Sequence, residues 1–213
     1  MSSGVRIFRA GDATPLGDSR MNAGVDFGGD ERVARAVGGL AAAAGFDTRV
    51  LVEQSADDGG MSLTYAYFKP GYPLFRHRHE TNCLYLVVSG SLQMGQQTLW
   101  PGDAFLVPAH APYGYSAGPD GVEVIEFRSD PTPFTTSFAR IPAEQVADAE
   151  ATADERGADW AEHPTGPMLT ANPGVASPIL GSRRGGSQRG NAPGTPPSIG
   201  STDPVVRDES SDR

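Results

Sequence analysis

Short apolar segments of four to seven residues alternate with Gly, Pro, Asp or Asn between residues 48 and 128. This spacing predicts β-strands joined by tight turns, without helices between them. The predicted strands are Thr48–Gln54, Leu63–Phe68, Leu74–His79, Leu84–Val88, Ser91–Met94, Gln97–Trp100, Ala104–Val107, Tyr113–Ser116 and Val122–Arg128. We therefore expect an all-β domain, a small antiparallel β-barrel or jelly roll.

Two segments outside this region show helical spacing of their apolar residues. The first runs from Asp30 to Ala44, with Asp30 as a candidate N-cap and Gly45 as a stop. The second, Pro142 to Glu162, is acidic and has proline in its first turn, with Gly157 as a candidate early end. Short helices are therefore expected on both sides of the barrel.

The composition changes along the chain and divides it into four parts. We expect an arm and short helix over residues 1–47, the barrel over 48–130, and an extension with the acidic helix over 131–163. In residues 164–213, 23 of 50 are Pro, Gly or Ser, and apolar residues are sparse. Such a segment cannot bury enough apolar surface to offset the entropy of ordering, so it predicts a disordered tail.

Charge and cysteine content exclude several classes of function. The net charge of −9 and the pI near 4.8 argue against nucleic acid as a partner, because phosphate binding uses clustered Lys and Arg. A single cysteine allows no intrachain disulfide. No apolar segment is long enough for an export signal or a membrane span. These features predict a cytoplasmic protein that binds neither nucleic acid nor membrane.

His77 and His79 are the first candidates for chemistry. They are separated by one residue on a predicted strand, so both imidazoles point to the same side. Neutral imidazole is the commonest metal ligand, and this spacing lets two rings reach one ion. The alternative is that both rings are held by hydrogen bonds inside the barrel.

Two motifs extend this observation. Gly71 is followed by five residues, then His77, Arg78, His79, three residues, Cys83, six residues and Gly90. Gly102 is followed by five residues, then Pro108, Ala109, His110, two residues, Tyr113, three residues and Ala117. Residues 60 to 128 thereby resemble the cupin superfamily, whose two motifs have these spacings. The resemblance implies a small β-barrel with a site in its lumen.

The ligand positions differ from the motifs of that superfamily. Its first motif supplies two histidines and a glutamate to a metal, and its second motif supplies a third histidine. Here Cys83 stands at the glutamate position and Tyr113 at the third histidine position, while His110 replaces a glycine and Ala117 an asparagine. Of the ligands that the resemblance implies, only the His77 and His79 pair is present.

Several arrangements remain open. Cys83 as thiolate and Tyr113 as phenolate would complete a four-ligand shell with the two histidines. Alternatively, the histidines alone bind the ion and Tyr113 is a general acid or base, or His110 supplies a further ligand. The cysteine also resembles that of thiol dioxygenases, where it is linked to a tyrosine. We predict His77, His79 and Cys83 as metal ligands and Tyr113 as the catalytic residue. The ion would be one divalent transition metal: iron, zinc, copper, manganese or nickel.

The walls of the site follow from strand alternation. If Cys83 faces the lumen, Tyr85 and Val87 face it too, and Tyr113 brings Tyr115 with it. We predict Tyr85 and Tyr115 as substrate-binding residues. Further aromatic residues expected in the barrel are Tyr65, Tyr67, Phe75 and Phe105. Of Glu123 and Glu126, which lie on opposite faces of the last strand, at most one reaches the lumen.

These features predict a metalloprotein that binds a small organic molecule in the barrel. By analogy of fold, it would be a metal-dependent enzyme of small-molecule metabolism, an oxygenase, isomerase or lyase. The alternatives are a non-catalytic binding or sensing cupin with a degenerate metal site, and a purely structural dimer. A homodimer is expected because open barrels cover their edge strands by pairing.

Overall fold

The computed structural model describes residues 4–130, 132–162 and 166–172. Its strands are β1 (Thr14–Pro15), β2 (Asn22–Asp26), β3 (Phe46–Glu53), β4 (Ser62–Phe68), β5 (Pro73–Arg78), β6 (Cys83–Met94), β7 (Gln97–Leu99), β8 (Ala104–Val107), β9 (Tyr113–Arg128) and β10 (Phe134–Phe138). Its α-helices are α1 (Glu31–Ala42), α2 (Ala143–Glu162) and α3 (Pro167–Thr170), and short 3₁₀ turns cover Ala10–Asp12, Leu16–Asp18 and Ala56–Asp58. The predicted all-β class is confirmed.

The long strand β9 is the centre of the sheet. Its second half pairs with β4 on one side and β6 on the other, and its first half pairs with β5 and the end of β6. Hairpin partners β7 and β8 extend the sheet from β6. Side chains from β4, β5, β6 and β9 thus converge on one interior, which holds the largest apolar core.

The structure differs from the predicted strands in three respects. First, Leu84–Val88 and Ser91–Met94 form one continuous strand, as do Tyr113–Ser116 and Val122–Arg128, because register shifts in the β6 to β9 pairing absorb the turn residues between them. Second, β10 follows two prolines and was not predicted. Third, β10 and β2 pair in parallel, so the sheet is mixed rather than wholly antiparallel.

An N-terminal strap, residues 14–26, joins the two ends of the sheet. β1 pairs with β3 at one end of the strand order, and β2 pairs with β10 at the other. Only residues 16–21 lie between β1 and β2, so these ends are within about 20 Å of each other. Met21, buried between Val50 and Phe134, contacts both ends. The sheet therefore extends beyond residues 48–130 on both sides.

Helices α1 and α2 pack on each other outside the barrel. The Asp30 side chain accepts hydrogen bonds from two backbone amides of the first turn of α1, which confirms the N-cap. Gly157 does not end α2, which continues to Glu162 and passes Ala43 at this point. The Lys69 ammonium donates to the Trp160 carbonyl and fastens the end of α2 to the barrel. No helix in the described part of the chain is long and apolar enough to span a membrane.

The expected tail contains one ordered turn in its described part. Leu169 of α3 is buried against Tyr65 and Tyr67 of β4. The backbone amide of Met168 donates to a carboxylate oxygen of Glu123 at 2.7 Å. The burial of Leu169 and the hydrogen bond to the buried Glu123 carboxylate account for the ordered turn α3. The remainder of the predicted tail, residues 173–213, lies outside the described residues.

Gly90 is closely surrounded by backbone atoms of a neighbouring strand. Its φ is +67°, and a Cβ there would lie 2.1 Å from the carbonyl oxygen of Gly121. We expect Gly90→Ala to lower the free energy of unfolding by about 2 to 4 kcal/mol in urea denaturation. Gly95 is the matched control, with φ of +58° and open space around it, and its alanine variant is expected to lose only about 1 kcal/mol. Equal losses would show that the close contact contributes nothing.

Candidate functional site

The interior of the barrel contains a cavity of about 280 Å³. Its walls come from the strap, α1, and strands β2, β3, β4, β5, β6, β9 and β10. The polar side chains with ionisable groups along it are His77, His79, Tyr72, Tyr85, Tyr113, Tyr115, Glu126 and Arg128. Most of the remaining lining is apolar. A cavity of this kind suits a small organic molecule oriented by a few polar groups.

His77 on β5 and His79 directly after it both line this cavity, on one side as their spacing predicts. Their ring centroids are 4.9 Å apart. Nδ1 of His77 lies 2.8 Å from the carbonyl oxygen of Phe75, and Nδ1 of His79 lies 3.1 Å from that of Thr135. Since a carbonyl oxygen only accepts, both Nδ1 atoms donate. In the neutral imidazoles, each Nε2 therefore carries a lone pair directed into the site.

The Tyr113 hydroxyl lies where the two Nε2 atoms converge. It is 2.9 Å from Nε2 of His77, 3.4 Å from Nε2 of His79 and 2.5 Å from the Tyr85 hydroxyl. The Tyr113 hydroxyl has one proton, and the shorter distance indicates that it donates to Nε2 of His77. Tyr85 then donates to the Tyr113 oxygen. Within the described cavity, Nε2 of His79 is left as an acceptor without a donor of its own.

Burial determines the protonation of these groups. Burial and then the neighbouring His79 lower the pKa of His77 to about 4. Burial followed by the Arg128 charge lowers the pKa of His79 to about 4. Burial and then the Glu126 charge raise the pKa of Tyr113 well above its usual value. Near neutral pH the metal-free site therefore contains neutral imidazoles and a protonated phenol.

Cys83 is buried at the start of β6 but does not line the cavity. Its thiol donates to the Thr81 carbonyl oxygen at 3.5 Å. Burial, reinforced by the Glu126 charge, raises its pKa to about 11. Both observations favour a protonated thiol, whereas a metal ligand must be a thiolate. The structure thus brings together His77, His79 and Tyr113 of the predicted set, but it does not bring Cys83 to the cavity with them.

Glu126 and Arg128 form a buried ion pair on the lumen face of β9. Their side chains are 11% and 1% exposed. Nε of Arg128 donates to Glu126, and the guanidinium carbon lies 3.2 Å from the centroid of the Phe134 ring. Burial lowers the pKa of Arg128, but the charges of Glu126 and of nearby cysteine and tyrosine side chains together raise it by more, so the net shift is upward. The Arg128 guanidinium is therefore charged.

The aromatic walls are only partly those predicted. Tyr85 and Tyr115 line the cavity, and their role in substrate binding stays a prediction. Phe105 stacks on Tyr85, with ring centroids 4.7 Å apart, and supports it from behind. The expectation for Tyr65 and Tyr67 was wrong: β4 turns both away from the lumen, toward Leu169. Thr64, Ala66 and Phe68 line the cavity instead.

The two glutamates of β9 lie on opposite faces, as their spacing requires. Glu126 faces the cavity, and Glu123 accepts hydrogen bonds from Tyr65 and Ser89 on the other side. Arg128 was missed by sequence reasoning as a cavity residue. Its position two residues after Glu126 on the same strand was the available signal, because residues i and i+2 share a face. His110 lies in an exposed turn and is not a lining residue of the cavity.

The backbone at the glycine positions of the two motifs agrees with their predicted turns. Gly71, Gly90 and Gly102 have φ values of +73°, +67° and +97°, in the left-handed region that favours glycine. His110 stands where the second motif has glycine, and its φ is +65°. The fold is cupin-like. His77 lies on β5 and His79 directly after it, and Tyr113, at the third histidine position, pairs with His77 from β9.

Several solved structures are similar to part of this chain. KdgF from a Halomonas species is 25% identical over 40% of this chain and 79% of that one, with a TM-score of 0.35. An RmlC-like cupin from Shewanella frigidimarina is 22% identical over 40% and 76%, with a TM-score of 0.35. The polyketide cyclase RemF from Streptomyces resistomycificus is 23% identical over 51% and 83%, with a TM-score of 0.39. A scan against family models and a search of curated proteins gave no match.

Proposed function

We propose that this cupin is an enzyme of small-molecule metabolism. It binds a small organic substrate in the barrel cavity, holds one divalent transition metal ion through His77 and His79, and uses Tyr113 in proton transfer. The observation that supports this most is the convergence of two imidazole Nε2 atoms on one phenol hydroxyl inside a largely apolar cavity.

The hydrogen bonds of the two Nδ1 atoms also fit the histidines for metal binding. Both Nδ1 atoms are held by backbone carbonyls, which fixes the tautomer and aims each Nε2 lone pair. Imidazole suits iron, zinc, copper and nickel, and a bound ion would supply Lewis acid or redox chemistry. Cys83 is not included in the proposed shell, because its thiol donates to the Thr81 carbonyl oxygen and does not line the cavity.

Tyr113 is proposed as a general acid. Its raised pKa keeps the proton on the phenol near neutral pH, so it is suited to give a proton to a developing negative charge. Tyr85, hydrogen-bonded to the same oxygen at 2.5 Å, would hold the phenol in place and return a proton to it. Without metal, His77 accepts from Tyr113 through Nε2. A bound ion would take the same lone pair, and the hydrogen bond to Tyr85 would then orient the Tyr113 hydroxyl.

Metal content tests this proposal. We expect about one transition metal ion per chain in protein purified without a His tag and analysed by elemental mass spectrometry. The His77→Ala, His79→Ala double variant is expected to contain none, because both imidazole ligands are removed. His110→Ala is the matched control, since it removes an exposed histidine. Wild-type protein without stoichiometric metal, even after reconstitution with iron, zinc, copper, manganese or nickel, would overturn the metal assignment.

A second candidate is a non-catalytic binding or sensing cupin with a degenerate metal site. One observation favours it: among the described residues, no group of three His, Cys, Asp or Glu side chains is placed to hold a metal ion. The same experiment separates the two candidates. A metal-free wild type that still binds ligands in the cavity would favour the binding protein.

We also propose that the chain forms a homodimer through an outer apolar face, comprising Leu84, Leu86, Leu106 and Phe127. These side chains are 36% to 63% exposed, and the register places Leu84 beside both Leu106 and Phe127. Two acidic copies meet with least repulsion through an uncharged patch. Leu106→Glu is expected to give a monomer in sedimentation equilibrium, whereas Gln97→Glu on β7 leaves the dimer intact. A monomeric wild type would contradict the proposal.

A further inference from the structure

The most exceptional polar group of the cavity is the Arg128 guanidinium. Its side chain is 1% exposed, yet Nη1 and Nη2 have no hydrogen-bond partner. Nη2 approaches the Glu126 carboxylate, but only as an ion pair without hydrogen-bond geometry. Buried N–H groups of an arginine are costly when they have no acceptor. An acceptor brought by a ligand would remove this cost.

We infer that Arg128 is a carboxylate-binding residue and that the ligand is a small organic acid with an aromatic or apolar body. The inference rests on the proposed function, since it names the class of molecule that the cavity takes. Arginine offers planar, paired N–H donors that match a carboxylate, and charge-assisted hydrogen bonds are about twice as strong as neutral ones. The Phe134 ring, 3.2 Å from the guanidinium carbon, holds that plane in one orientation.

The charges around the pair favour an anion over a neutral acceptor. Glu126 balances Arg128, so the protein contributes no excess negative charge at this point. A ligand carboxylate would therefore meet no uncompensated negative charge of the pair, and its oxygens would accept charge-assisted hydrogen bonds from the unpartnered guanidinium N–H groups.

The rest of the lining describes the body of the acid. Apolar and aromatic groups surround the polar end and offer no second cation among the described lining residues. The aromatic members are Phe46, Phe68, Tyr72, Tyr85, Tyr113, Tyr115, Phe134 and Phe138. With a cavity of about 280 Å³, at the lower end of small-molecule sites, this fits a monocarboxylic acid with one ring or a short apolar chain.

Pairs of acids and their amides test the inference. Benzoate, phenylacetate and cinnamate are titrated by calorimetry into wild-type protein, each beside its uncharged amide. We expect at least one acid to bind about tenfold or more tightly than its amide. Arg128→Met is expected to remove this preference and leave amide binding within about threefold, while Arg128→Lys weakens the acid by about tenfold because the paired donors are lost.

Two variants guard against loss of the fold. The Glu126→Gln, Arg128→Met double variant avoids a buried unpaired charge, and Arg78→Met removes an exposed arginine of β5 as a control that keeps the preference. Acids and amides that bind alike, or acid binding that survives Arg128→Met, would overturn the carboxylate assignment but leave a ligand-binding cavity. Failure of all three acids to bind would also overturn it, whereas metal bound by His77 and His79 would still support the proposed function.

Discussion

Replacement of Glu126 by alanine is expected to lower the free energy of unfolding by about 3 to 5 kcal/mol. The variant leaves the Arg128 charge buried at 1% exposure, with its one hydrogen-bonding carboxylate removed. Desolvation of a charge in the interior is costly unless a partner of opposite charge compensates for it. Chemical denaturation monitored by circular dichroism measures the loss.

Two controls separate the buried charge from the loss of side-chain atoms. The Glu126→Ala, Arg128→Met double variant removes both charges and is expected to recover most of the stability. Glu150→Ala breaks the Arg35 to Glu150 pair between the helices, whose side chains are 67% and 40% exposed. It is expected to cost about 0.5 kcal/mol or less. Equal losses for Glu126→Ala and the double variant would show that the unpaired charge is not the cause.

The buried Glu126–Arg128 pair contributes to ligand binding rather than to the stability of the sheet. Replacing such a pair by apolar side chains is often neutral or stabilising, so the sheet itself does not need Glu126 and Arg128. The pair does, however, fix a guanidinium with unpartnered N–H groups inside an apolar wall. A ligand carboxylate would complete the hydrogen bonds of this guanidinium. The stability prediction and the carboxylate inference therefore concern the same buried pair.

Local alternation made part of the site predictable from the sequence. The period of two along a strand places His77 and His79 on one face, and it places Glu123 and Glu126 on opposite faces, without knowledge of the partner strands. The same rule holds for Tyr113 and Tyr115. The resemblance to the two cupin motifs implied that Tyr113 lies in one site with the histidines, and the β5 to β9 register pairs it with His77.

Long-range contacts made the rest unpredictable. Tyr65 and Tyr67 have the alternation of a lumen face, but the α3 turn about 100 residues later covers the other face of β4 and buries them there. Glu123 is buried for the same reason, since its acceptors are used by Tyr65, Ser89 and Met168. Whether a face is interior or covered by a distant segment is not encoded in the local pattern.

Turn residues misled the strand boundaries in a similar way. Gly90 interrupts the apolar pattern of β6 and predicts a turn, but the strand continues through it with register shifts on either side. Its φ of +67° and its contact with Gly121 belong to the crossing of β6 and β9. The local sequence does not distinguish a glycine that permits a bulge from a glycine that ends a strand. Only the pairing of the strands does so.

The stability of the metal-free protein is expected to fall as the pH is lowered from 6.5 toward 4. The pKa values of His77 and His79 are lowered from 6.5 to about 4 in the folded chain, first by burial. Between these values the unfolded chain binds protons that the folded chain does not, so acid favours unfolding. Each imidazole is expected to contribute on the order of 2 kcal/mol between pH 7.5 and pH 5.

Three charged side chains act on the pKa values of the His77 and His79 rings. Arg128 lowers both pKa values, Glu126 opposes the shift at His77, and Glu80 opposes it at His79. Urea denaturation at a series of pH values, with a chelator present to keep metal from the Nε2 atoms, measures the dependence. The His77→Gln, His79→Gln variant keeps polar side chains and removes both titrating rings, so its stability is expected to change less over this range. If wild type and variant fall equally, the acid sensitivity arises from carboxylates elsewhere, and the imidazoles are not the buried neutral bases that the proposed site requires.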